Sequence, residues 1–139
     1  MCIRDSCYPV GLKVKHGEKY QVAVTIPAND PWVDRDIPTD PGGFAKSRWA
    51  QLPGVPFKRL VRSNWFAPIV RVGSTGFEEH VPTFRPDPAN GSRWLADFTA
   101  RSDGEVFLYV NDTSIFLPWL LTVFYDNNQG SAAVTLKKM

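Results

Sequence analysis

Two short stretches near the C-terminus carry the residues best suited to chemistry: "VND" at 110–112 and "YDNNQGS" at 125–131. Asp112 ends an apolar run, and Asn127 and Asn128 stand side by side shortly before another. Asp and Asn are ordinary turn residues, because their side chains bond the nearby backbone. They are also hard oxygen donors, and a cation such as calcium collects six to eight of these from carboxylate, amide and carbonyl groups. Both readings are open on residue types alone.

Other chemistries find little to work with. The chain holds two cysteines and two histidines. Cys2 falls within "MCIRDS", which resembles a translated sequencing-adapter scar, so residues 1–6 are expected to lie outside the natural protein and residues 1–10 to form a ragged lead-in. Cys7 alone makes neither a disulfide framework nor a zinc site. His80 in "FEEHVP" has no partner at ligand spacing, and Glu78 and Glu79, adjacent on a strand, point to opposite faces, which is wrong for an acid–base pair. Nucleophile-elbow, zinc-protease and phosphate-loop motifs are missing. The expectation is a protein that binds rather than catalyses.

With 16 basic and 14 acidic residues in 139, the net charge is +2 and no basic cluster concentrates it. That balance argues against a nucleic-acid partner. The densest apolar stretch, "IFLPWLLTVFY" (115–125), contains a proline and is shorter than the ~18 residues of a membrane span. No transmembrane segment is expected, and the compartment is not readable.

The elements that must position Asp112 and the asparagines read as strands. "YQVAVTI" (20–26) alternates, with Tyr20, Val22, Val24 and Ile26 on one face. "GLKVK" (11–15), "WLADFTA" (94–100), "EVFLYVND" (105–112) and "SAAVTLKK" (131–138) behave similarly. "RSDG" (101–104) reads as a tight turn joining its two flanking strands, with Gly104 where positive φ is tolerated. "NWFAPIVRVG" (64–73) reads as one longer strand, which Pro68 places at an edge or a bulge. Twelve prolines and ten glycines leave room for one short helix at most, "GFAKSRWAQL" (43–52). The expected fold is all-β, a jelly-roll β-sandwich over 11–139. Two long loops, 27–63 and 113–124, stand out as functional candidates. Trp65 and Trp94 are expected in the core, while Trp32, Trp49 and Trp119 lie in loops and could stack on a sugar face.

"GEVFLYVND" followed by "FYDNNQGSAAVTL" resembles the C-terminal signature of the PA-IL-like family of calcium-dependent galactophilic lectins, and "APIVRVGSTG" and "HGEKYQVAV" resemble two of its earlier strands. The resemblance implies a galactose-binding-domain-like sandwich with calcium at one end. On this chain it implies side-chain ligands Asp112, Asn127 and Asn128, and backbone carbonyls at Phe124 and, from the first long loop, at Val33. Asp112 and Asn127 would also hydrogen-bond the sugar, with Trp32 and Trp119 as aromatic neighbours. Asp34, Asp36 and Asp40 read first as loop residues and second as a reserve from which one could touch the metal. Asp126 reads as solvated. The family's sugar-contacting His-Pro-x-Gln stretch has no counterpart in 27–63, so a carbohydrate is implied without fixing galactose. The alternative is a metal-free accessory or protein-interaction module attached to an enzyme within a larger protein. The apolar run 113–124 could fold back into the core, dock on a partner or parent domain, or dip into a membrane surface; the expectation is docking, with Trp119 and a neighbouring leucine exposed beside the calcium end.

Overall fold

The computed structural model describes residues 8–34, 36–45, 60–73, 78–80, 82–112 and 128–139. These contain no helix, and their strands are β1 (Tyr8–Val14), β2 (Lys19–Thr25), β3 (Val33–Asp34), β4 (Ile37–Pro38), β5 (Pro68–Val72), β6 (Glu78–His80), β7 (Arg85–Asp87), β8 (Asn90–Thr99), β9 (Gly104–Val110), β10 (Asn128–Gln129) and β11 (Ala133–Lys138). All pairings are antiparallel: one sheet runs β1-β9-β5-β6, a second β11-β2-β8-β7, and a small third β10-β3-β4. The protein is all-β.

Side-chain alternation explains how the two large sheets meet. Val14, Val70, Val72, Val106 and Leu108 from the first sheet share one core with Tyr20, Val22, Val24, Ala96 and Phe98 from the second. Tyr20 and Phe98, opposite each other in the β2–β8 ladder, stack with ring centroids 5.8 Å apart. Each large apolar side chain buried this way contributes on the order of 1.5–3 kcal/mol. On the other face of the second sheet polar residues flank the Ala23–Leu95 pair: Gln21 Nε2 donates to Asp97 at 2.9 Å, and Arg85 pairs with the other Asp97 oxygen at 2.9 Å. Gln21 first, and then Arg85, hold the Asp97 carboxyl below its ordinary value. Ile26 and Trp94 pack against the core as their alternation requires.

Three local expectations are corrected. β8 and β9 belong to different sheets, so "RSDG" carries the chain across the sandwich instead of closing a hairpin. Gly104 is needed for close approach: a Cβ there would lie 3.0 Å from the Gly73 nitrogen and from a Val72 methyl. Pro68 opens β5, which lies between β9 and β6 rather than at an edge. As the first strand residue it gives up little of the ladder. Residues 64–67 are not part of that strand; Trp65 instead exchanges backbone bonds of 3.0 and 2.9 Å with Phe44. Trp65 is buried there, apart from the inter-sheet core. The 43–52 helix candidate lies outside the described residues from 46 onward, and Phe44 within it forms the bridge just described. Among the described residues, no helix is long and apolar enough to cross a membrane.

Candidate functional site

One end of the sandwich brings together the candidate residues that lie among the described ones. β9 leaves the core at Val110 and delivers Asn111 and Asp112, both buried. Asn111 is fully enclosed, at 0% exposure, and its side chain is saturated. Its Oδ1 accepts the Leu60 N–H at 3.0 Å, while its Nδ2 donates to the carbonyls of Leu60 at 3.0 Å, Asn64 at 2.8 Å and, more weakly, Ser63 at 3.4 Å. Its backbone N–H donates to Ala67 and its carbonyl accepts from Phe66, each at 2.9 Å. Phe66 meets that carbonyl with φ 62°, a left-handed conformation that costs a non-glycine residue about 1–3 kcal/mol.

The second segment comes from the first long loop, which is not structureless. Within "PWVDRDIP" the chain turns back on itself as β3 and β4, with Asp34 opposite Ile37 and the Thr39 N–H donating to the Trp32 carbonyl at 3.0 Å. β10 then adds to β3, placing Asn128 opposite Asp34 and Gln129 opposite Val33. Asp34 is 5% exposed and Asp112 8%, so two carboxylates are buried at this end. Burial of this kind requires partners for the charge.

Gly130 makes the ladder feasible. Its φ is 97°, and a Cβ there would lie 2.2 Å from the Pro31 carbonyl oxygen and 2.9 Å from the Trp32 Cα. The glycine of "NNQGS" lets the chain pass against Pro31 and Trp32 as it leaves β10. Trp32 links the two segments: its ring meets that of Phe66 edge-on, centroids 6.0 Å apart at 77°. Trp32, Val24, Pro68, Val110, Ala132 and Val134 contribute walls of a cavity of about 530 Å³ between the sheets at this end.

The expected site residues are therefore distributed as follows. Asp112, Val33 and the Asn128 backbone reach the same end, and half-buried Trp32 joins them. Asn127, Phe124, Trp119 and Asp126 lie outside the described residues, as do Trp49 and the proposed docking run 113–124. Asp40 caps a turn, its Oδ1 accepting the Gly42 N–H at 2.7 Å, and Asp36 is exposed. His80 packs on Phe98, ring centroids 5.6 Å apart, and the Tyr109 hydroxyl donates to Glu79. Asn111 was missed by sequence reasoning. The only signal for it was its place beside Asp112, which ordinary turn chemistry also explains.

The donors at this end are oxygens, which suits a hard cation. No three of His, Cys, Asp and Glu converge as a metal cluster among the described residues. A cation here would thus draw much of its shell from amide and backbone oxygens. Comparison with known protein families, curated proteins and solved structures found no match to this chain.

Proposed function

We propose that this protein is a calcium-assisted carbohydrate-binding module built on a jelly-roll, galactose-binding-domain-like sandwich. The observation that supports the reading most is the β10–β3 ladder. It sets Asn128 opposite Asp34, beside Val33, at the end where β9 delivers buried Asp112. The motif resemblance supports it independently. Asp112, Asn127 and Asn128 would hold the cation through their side chains, and Val33 and Phe124 through their carbonyls. With one assigned carboxylate and two neutral amides, the calcium would keep enough charge to bind two adjacent sugar hydroxyls. Asp112 and Asn127 would accept hydrogen bonds from those hydroxyls and fix which pair is chosen. Buried Asp34 lies one residue from Val33 and would add negative charge beside the cation.

A glycan array read with calcium and again with chelator tests the proposal. Binding that disappears with chelator, and is strongly weakened in Asn127→Ala, is the expected result. Glycan binding that survives chelation would move the sugar site to the aromatic residues Trp32 and Trp119. No glycan binding under either condition would favour the metal-free accessory module.

A further inference from the structure

We infer that Asn111 is a positioning residue for the cation end, coupling cation binding to the 60–67 turn; this rests on the calcium reading above. Every polar group of Asn111 is engaged with that turn: its amide with Leu60, Ser63 and Asn64, and its backbone with Phe66 and Ala67. On one side it is covalently joined to Asp112. On the other, Phe66 carries the connection through its ring contact to Trp32, and from there along the chain to Val33 and Asp34, which pair with Gln129 and Asn128. The segments carrying Asp112 and Val33 thus meet through Asn111, whose side-chain amide holds the turn that presents Phe66 to Trp32. A change in backbone position at residue 111 moves Asp112 directly and moves Trp32 through Phe66. The left-handed Phe66 persists only while the surrounding contacts hold it, so ordering either end favours the other. A carboxylate could not replace the amide, since it has no N–H to give to the turn's carbonyls.

Amide hydrogen exchange on the unaltered protein, with calcium and with chelator, tests this. Calcium at a hundred times its dissociation constant should slow exchange at Leu60 and Phe66 by up to about 100-fold, together with the amides of β10, while Ala23 and Leu95 in the second sheet stay unchanged. In Asn111→Asp, shown to be folded by circular dichroism, calcium affinity should fall at least about tenfold. Asn64→Ala, which keeps the carbonyl that Asn111 uses, should bind calcium normally. Calcium that binds calorimetrically but leaves Leu60 and Phe66 exchange untouched would overturn the coupling while sparing the proposed function. A protein that takes up no calcium would overturn both.

Discussion

Asn128 stands directly opposite Asp34 in a ladder only two residues long. So short a pairing has little stability of its own. It is supported on one side by β4 and on the other by the turn at Gly130. Gly130→Ala would place a methyl group against the Pro31 carbonyl and force a left-handed alanine. The substitution should cost at least about 2 kcal/mol in urea denaturation and weaken the response to calcium. A wild-type midpoint in Gly130→Ala would mean that β10 does not pack against Pro31 as described.

Asn111→Ala should be among the most damaging polar-to-alanine substitutions in the chain. It strips partners from the Leu60 N–H and from the carbonyls of Leu60 and Asn64. The expected loss is about 2–4 kcal/mol by chemical denaturation, against about 0.5 kcal/mol or less for Asn64→Ala, whose side chain donates to the carbonyl of exposed Gly42.

The opposite end carries a pH-sensitive network. Lys138 Nζ donates to Glu18 Oε1 and the Tyr20 hydroxyl to Glu18 Oε2, each at 2.6 Å. The bond from Lys138, then that from Tyr20, holds the Glu18 carboxyl below its ordinary value. The same bonds to Glu18 push the Lys138 ammonium and the Tyr20 hydroxyl above their ordinary values. The Glu18 contribution is therefore present above its unfolded value and lost as pH falls through the lower folded one. Those of Lys138 and Tyr20 are present below their unfolded values and lost as pH rises through the folded ones. Melting curves of Glu18→Gln should diverge most from wild type between these limits and converge toward both extremes. High salt should narrow the gap, because the Lys138 side chain is 60% exposed.

Much of the fold was legible in the strands because the faces that the two large sheets turn to each other are apolar. Tyr20, Val22 and Val24 declare their face by alternation alone. Sheet membership was not legible. A hairpin and a crossover between sheets can use the same "RSDG" turn, and the two are told apart by strand partners: β8 pairs with β2 and β7, β9 with β1 and β5. The β3–β4 hairpin was hidden because its two-residue strands sit among Asp and Pro, which signal loop. At the candidate site, Asp112 was visible as an oxygen donor at a strand end. Asp34 was visible only as a loop acid, since its burial depends on the tertiary structure. Asn111 was invisible because its partners, Leu60 to Ala67, are distant in sequence.

The central claim is that calcium binds this end through Asp112. The most direct measurement is thermal denaturation of the unmutated protein and of Asp112→Ala, each in calcium and in chelator. A ligand that binds only the folded state at a hundred times its dissociation constant adds about 2.7 kcal/mol. The account predicts that gain as a raised melting temperature in the unmutated protein and its loss in Asp112→Ala. A melting temperature of the unmutated protein that is indifferent to calcium and chelator would contradict it.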